Sequence, residues 1–207
     1  MPSSGGELVK ASMRLENSLR RDGKLFVCGI DEVGRGCLAG PLVAAAVILP
    51  SNWKRELKDS KLLPAHKRED LNSYILENSI ASGIGWVHNK EIDELGLTEA
   101  VRRAYLRALE DMNSGFSVAV IDGNYNYLDE FGIARTLIKA DQKVSCVAAA
   151  SIIAKVARDK YMNEQSEIYP EYDFSNNVGY GTKKHRVALM NNGLTGLHRK
   201  SFCKAFL

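Results

Sequence analysis

Acidic residues break into apolar segments at three places in this chain of 207 residues. Asp31 and Glu32 follow an apolar run at 25–30, Asp122 follows Val118-Ala-Val-Ile121, and Asp141 stands just ahead of an Ala-rich stretch. A carboxylate at the end of a buried strand is costly unless a counter-ion or a metal compensates it. No Cys/His ligand cluster accompanies these acids, so oxygen-liganded Mg2+ or Mn2+ is the natural occupant. Two such ions about 4 Å apart can activate a water and stabilise the leaving oxygen in phosphodiester hydrolysis. Taken singly, each acid has a plainer explanation as a strand-end turn residue, Asp122-Gly123 above all; the set together points to chemistry.

A second motif competes with this reading. Gly34-Arg35-Gly36 with Ala39 follows a strand and matches the G-x-G-x-x-G/A dinucleotide fingerprint, and Asp59 stands near the offset of a ribose-binding acid. Its context fails. Pro41 with the β-branched Val43, Val47 and Ile48 predicts a strand where a pyrophosphate-binding helix would have to begin. Asp31 and Glu32 would also repel that anion. Glycines flanking an arginine suit close backbone approach to a nucleic-acid strand, with the guanidinium on a phosphate.

The elements that must hold these residues can be read from periodicity. Residues 1–6 are loose in composition, and Leu8, Met13, Leu15 and Leu19 space out a short amphipathic helix that ends at Asp22-Gly23. Two strands, at 25–30 and 42–49, flank the Gly-rich loop. Pro64 opens a helix to about Glu77, 82–88 returns as a strand, and Thr98 is the expected N-cap of a helix stopped by Gly115. Strands at 118–121 and 134–138 precede a long helix from Val144 to about Glu167, broken by Pro170. Beyond it, loop, helix and tail are expected. The order predicts an α/β sheet domain with a small C-terminal helical subdomain: 1–22 an N-terminal extension with a helix, 23–168 the catalytic domain, and 169–207 a helical substrate-binding segment.

Composition sets the outer bounds. Hydrophobic residues at 45% and charged residues at 26% argue for a globular chain and against disorder or coiled coil. No apolar run reaches the roughly 18 residues of a membrane span, and Glu7, Lys10, Arg14, Glu16 and Arg20 interrupt any signal-like stretch, so a cytoplasmic protein without membrane contact is expected. Cys28, Cys37, Cys146 and Cys203 are scattered and read as small core residues. The net charge is +3, yet residues 174–207 hold six basic residues and no acidic one, so the remainder is net −3. That polarity suits a body with metal-binding acids and an appendage that meets phosphates, although a solvated basic tail has the same charge.

The string Gly29-Ile-Asp-Glu-Val-Gly-Arg-Gly36 resembles the signature of ribonuclease HII, the bacterial type 2 ribonuclease H. The resemblance continues through Asp59-Ser60-Lys61, Asp122-Gly123-Asn124, Lys139-Ala140-Asp141, Ala148-Ala-Ala-Ser151 with Lys155 and Arg158-Asp159, Gly179-Tyr180-Gly181-Thr182 with His185, and His198-Arg199 with Ser201-Phe202. It implies a ribonuclease H-like mixed five-stranded sheet flanked by helices. It also implies an endonuclease that hydrolyses the RNA strand of RNA/DNA hybrids and nicks 5′ of single ribonucleotides in duplex DNA, in ribonucleotide and RNA-primer removal.

By the same resemblance Asp31, Glu32, Asp122 and Asp141 are the catalytic, metal-binding acids, with Mg2+ or Mn2+, two ions during catalysis. Gly34, Arg35 and Gly36 would meet the backbone around the ribonucleotide and its 2′-OH. Tyr180 would pack under the sugar at the RNA–DNA junction, with Ser151, Lys61, Lys183, Lys184, His185 and Arg199 completing the substrate-binding set. The partners implied are RNA/DNA hybrid and ribonucleotide-containing duplex DNA, bound by a monomer. Cys37, Ala140 and Gly196 depart from the residues common in the family, which touches loop rigidity more than the acids. Ribonuclease HIII fits less well, because its loop lacks the Gly-Arg-Gly triplet. The tail Phe202-Cys-Lys-Ala-Phe206-Leu207 is apolar enough to suggest a sliding-clamp contact, but packing against the domain is the simpler expectation.

Overall fold

A computed structural model describes residues 10–57 and 64–206. In chain order the elements are α1 (Arg14–Arg21), β1 (Val27–Val33), β2 (Leu42–Ile48), α2 (Ala65–Asn78), β3 (Ala81–Val87), α3 (Asn89–Leu95), α4 (Leu97–Met112), β4 (Val118–Asp122), β5 (Ala134–Leu137), α5 (Ser145–Ile168), α6 (Phe174–Asn177), α7 (Lys183–Asn192) and α8 (Lys200–Cys203). The five strands form one sheet in the order β3-β2-β1-β4-β5. β1, β2 and β3 run antiparallel to one another in turn, whereas β4 and β5 run parallel to β1. The mixed five-stranded sheet is the architecture expected.

Alternation along the strands sorts side chains to two faces. Val27, Val43, Val47, Val118 and Val120 pack with Cys146, Val147 and Ile153 of α5 on one face. Cys28, Ile30, Leu42, Ile48 and Ile121 pack with Val101, Ala104 and Ala108 of α4 on the other. Each fully buried Val or Ile here contributes roughly 1.5–3 kcal/mol. Helix α5 lies unusually near the sheet at Gly29, where a Cβ would stand 2.2 Å from the Cys146 carbonyl carbon, so only glycine fits. A third core joins Tyr172, Phe174, Ala188, Leu189, Leu197 and Cys203 to Ala39 and Met162, and closes the C-terminal helices against the end of α5. All four cysteines are buried and free, as their scatter suggested. Phe202 and Phe206 pack against these cores, so the tail through 206 is held by the domain itself. Among the described residues no helix is long and apolar enough to cross a membrane.

Several elements differ from the expected ones, and α1 begins only at Arg14, with Ala11 and Ser12 before it in isolated β-bridges. Strand β1 runs through Asp31 and Glu32, which pair with Ala45 and Ala44 of β2, instead of stopping before them. A strand needs only its backbone ladder and compensated side chains, and both acids have partners. Thr98 caps nothing: α4 begins at Leu97 after Gly96, and it ends at Asn113 in the left-handed conformation, before Gly115. Helix α3 has no sequence signature, because Ile92 is its one buried residue.

The segment before β1 is tied into the body. Ser12 donates its amide to the Lys143 carbonyl at 3.1 Å and accepts the Ser145 amide at 3.3 Å. Glu16, fully buried on α1, accepts the Cys146 amide at 2.9 Å and so caps the first turn of α5 from a distant helix.

Candidate active site

Consecutive strand residues point to opposite faces, and Asp31 and Glu32 do so. Asp31, 6% exposed, meets Ser151 of α5 on one face. Glu32 accepts the Tyr105 hydroxyl of α4 on the other. Asp31 also accepts the Glu32 amide at 2.8 Å. Asp122 closes β4 and accepts the Ala140 amide at 2.6 Å, which fastens the 3-10 turn Ala140–Gln142, and Asp141 within it, to the strand end. Asp141 is 3% exposed. Ala140, one of the family departures, is fully buried beneath this turn.

The four acids feel one another. Burial pushes the Asp31 carboxyl well above the usual range, then the charge of Glu32 adds to it and those of Asp122 and Asp141 add less, while the Ser151 hydrogen bond opposes them. Glu32 is also raised, chiefly by burial, against the pull of the Tyr105 hydroxyl and of Arg35. The Arg35 guanidinium lies 3.5 Å from Glu32 Oε1 and 5.9 Å from the centroid of the Tyr127 ring, which holds it beside the acids. Among the described residues no three Asp, Glu, His or Cys side chains form a ready-made metal cage. The donor set is nonetheless what a hard divalent cation takes: carboxylate oxygens from three segments whose mutual repulsion a cation would relieve.

A cleft of about 410 Å3 gathers Asp31, Glu32 and Ser151 with Tyr180, Arg68, Lys155 and Asp159. Tyr180 lines this cleft and is 41% exposed. Lys155 donates to Asp159 at 2.8 Å, and Arg68 lies 3.4 Å from the same carboxylate. Neither cation is among the candidate site residues read from the sequence. Lys155 could have been, since it stands four residues after Ser151 on one helical face; Arg68, on α2, leaves no such trace.

The glycine loop is held from beneath by two buried arginines. Arg158 donates to the carbonyls of Pro41 at 2.8 Å, Ala39 at 3.1 Å and Val178 at 2.8 Å. Arg199 donates twice to the Gly40 carbonyl, at 3.1 and 2.9 Å, and once to that of Arg35 at 3.1 Å. The Gly179 carbonyl accepts the Leu38 amide at 2.9 Å, which joins this loop to the one that bears Tyr180. The two glycines then separate in role. Gly34 has φ +89°, and a Cβ there would stand 2.3 Å from Arg158 Nε, so it is required by the interior. Gly36 has nothing within 4 Å of such a Cβ and remains free to face a ligand.

Several expected substrate contacts lie elsewhere. His185 and Arg199 are fully buried, so their side chains support the loops and do not face the cleft. Burial of an arginine without a carboxylate was not legible because its partners are main-chain carbonyls. Lys183 and Lys184 are exposed on α7 beside Glu171 and Asp173, outside the carboxylate cleft. Lys61, with Asp59 and Ser60, lies outside the described residues.

Comparison with known proteins gives the family and the fold. A family model described as ribonuclease HII matches residues 28–205. The chain is 46% identical over 178 residues to the ribonuclease HII of Leuconostoc citreum, covering 86% of this chain and 68% of that one. It is 44% identical over 198 residues to the ribonuclease HII of Thermosynechococcus vestitus, covering 95% and 92%. Among solved structures, ribonuclease H2 of Pyrococcus horikoshii superposes with a TM-score of 0.78 at 26% identity, over 87% of this chain and 96% of that one.

Proposed function

This chain belongs to the ribonuclease HII family and is a type 2 ribonuclease H acting on RNA/DNA, and from that premise we propose that it nicks duplex DNA on the 5′ side of a single embedded ribonucleotide as well as cutting the RNA of hybrids. The observation that carries the reading is one cleft shared by Asp31, Glu32, Ser151 and Tyr180. Acids for the cut and a tyrosine ring for the sugar stand side by side.

In this reading Asp31, Glu32, Asp122 and Asp141 hold the divalent metal on which ribonucleases H depend, Mg2+ or Mn2+, as two ions during the cut. A metal held by these carboxylates would supply a polarised water and neutralise charge on the phosphate and its leaving oxygen. Ser151 and Tyr105 orient Asp31 and Glu32 from opposite faces of the sheet. Gly36, with the backbone of Gly34 and Arg35, meets the ribonucleotide 2′-OH, the group that separates RNA from DNA. Arg35 and Lys155 are placed to meet phosphates. The Tyr180 ring packs against the deoxyribose that follows. Water adds to the phosphorus, the bond to the preceding 3′ oxygen breaks, and the products are a 3′-hydroxyl and a 5′-phosphate. The enzyme acts as a cytoplasmic monomer.

The test is a DNA duplex with one ribonucleotide, incubated with Mg2+ and resolved by strand length. A single cut 5′ of the ribonucleotide is expected, and Tyr180→Ala should depress it more than cleavage of a uniform hybrid. Cleavage of the uniform hybrid alone would reject junction recognition.

A further inference from the structure

Two imidazoles lie sealed under the loop that carries Tyr180. His185 and His198 are 0% and 2% exposed, and their Nε2 atoms are 3.0 Å apart. Tyr172 and Phe174 enclose them, with ring centroids 5.1 to 6.3 Å away. Two nitrogens at that distance share one proton, so one must donate and the other accept.

The outer partners decide which. His185 Nδ1 is 2.9 Å from the Tyr180 carbonyl, which can only accept, so that nitrogen carries the hydrogen. His198 Nδ1 is 2.9 Å from the Thr195 amide, which can only donate, so that nitrogen is bare. With both rings neutral, His198 Nε2–H donates to His185 Nε2. Neutrality follows from burial, which lowers His185 and holds His198 down to about 4, with His185 opposing its charge further. The result is a directed chain from Thr195 through His198 and His185 to the main chain of Tyr180.

The main chain around His198 is bonded to the other recognition loop. His198 forms an isolated bridge with Ala39, and the next residue, Arg199, grips the carbonyls of Arg35 and Gly40. The imidazole pair is therefore tied to Tyr180 by a hydrogen bond of fixed direction, and to the loop after β1 through the main chain on either side of His198.

We propose that the His185–His198 pair is a positioning strut that sets Tyr180 against the Gly34-Arg35-Gly36 loop and so determines specificity for a single RNA-to-DNA step. The proposal rests on the junction-reading function above. A uniform hybrid offers a 2′-OH at every step and tolerates a displaced Tyr180, whereas a lone ribonucleotide allows one register only.

Two measurements test it. In wild-type protein labelled with 15N-histidine at neutral pH, His185 should show the Nδ1–H tautomer and His198 the Nε2–H tautomer; reversed tautomers or a charged ring would overturn the strut. His198→Phe keeps an aromatic ring but removes the donor, which frees His185 to change tautomer and release the Tyr180 carbonyl. Its kcat/KM on the single-ribonucleotide duplex should fall roughly tenfold, the scale of coupling between contacting residues, with uniform-hybrid cleavage little changed. His198→Gln, whose amide nitrogen can replace Nε2–H, should recover most of the loss. Equal losses on both substrates, or no recovery with Gln, would overturn the proposal. Tyr180→Ala separates the two ideas: if it leaves discrimination intact, the junction reading fails, and if it abolishes discrimination while His198→Phe does not, the strut alone fails.

Discussion

Arg158 offers the sharpest quantitative test of how the recognition loops are held. Its guanidinium is fully buried and donates to three carbonyls, two from the loop after β1 and one, Val178, from the loop before Tyr180. A hydrogen bond to a charged group contributes roughly 1.5–3 kcal/mol, and three of them exceed what a single side chain normally supplies. Removing the arginine also removes the cost of burying its charge, so the net loss for Arg158→Met should be about 3–5 kcal/mol. In a protein of this size that corresponds to a fall in Tm of roughly 10 °C. Arg158→Lys should lose nearly as much, because an ammonium cannot reach three carbonyls set out for a planar fork. Thermal melts followed by circular dichroism, with cleavage of a single-ribonucleotide duplex measured well below both midpoints, would check the prediction. A lysine variant with wild-type Tm would refute the reasoning, since charge alone would then hold the loops.

Four further outcomes rest on the same structure. Asp31→Asn should abolish Mg2+-dependent cleavage yet raise Tm at neutral pH: the folded pKa of Asp31 is raised above its unfolded value, so its contribution is favourable in acid and lost as pH rises through the folded value. Gly34→Ala should destabilise the fold by forcing a methyl into Arg158 at a positive φ, whereas Gly36→Ala should melt normally and lose cleavage only; the paired melts and rates decide. Replacing Lys183 and Lys184 by Ala should flatten the salt dependence of duplex binding by up to about 0.9 log units for each phosphate that is no longer neutralised, and an unchanged slope would return them to the solvated surface. Because His198 is depressed to about 4, its contribution to stability is complete above the unfolded pKa near 6.5 and should fall by about 3 kcal/mol as pH drops towards 4, read as the difference between wild-type and His198→Gln melts. Its hydrogen-bonding neighbours are His185 and Thr195, and aromatic rings enclose it, so the difference reports the imidazole; Glu16 and Asp31, both raised, shift the two proteins alike.

The acids were legible because a carboxylate within an apolar run violates a burial rule strongly enough to demand a reason. Asp31, Glu32, Asp122 and Asp141 stood out in that way, and the glycine loop did too once a strand was read after Pro41. The long elements followed from periodicity, since α5 and the strands bury most of what they carry. Other features obey rules that sequence cannot show. Glu16 looks like any solvated helix residue until α1 is packed against the first turn of α5. Arg158 and Arg199 look like surface cations, and their burial depends largely on carbonyls of a loop more than a hundred residues away, Pro41 and Ala39 for Arg158 and Gly40 and Arg35 for Arg199. His185 and Arg199 were expected at the ligand from the family resemblance, which carries residue positions but not their burial, and the folded chain encloses both.

Helix α5 joins the chemistry to the recognition. Its 24 residues make a rod about 36 Å long, and the residues that matter fall at 151, 155, 158 and 162, the spacing of a single helical face. Ser151 bonds Asp31, Lys155 lines the cleft, Arg158 holds both recognition loops, and Met162 enters the core of the C-terminal helices. Glu16 fixes the start of the rod at Cys146, next to the turn that bears Asp141. Each residue of helix advances about 100°, so a change of register between Ser151 and Arg158 would turn one of them away from its partner. Asp31 and Glu32 on β1 already run directly into the glycine loop, and the regular helix adds a fixed distance from Asp31 to the anchor that holds both recognition loops. That arrangement lets the loop after β1 be rich in glycine, as close approach to a ligand requires, without leaving its position relative to the carboxylates undefined.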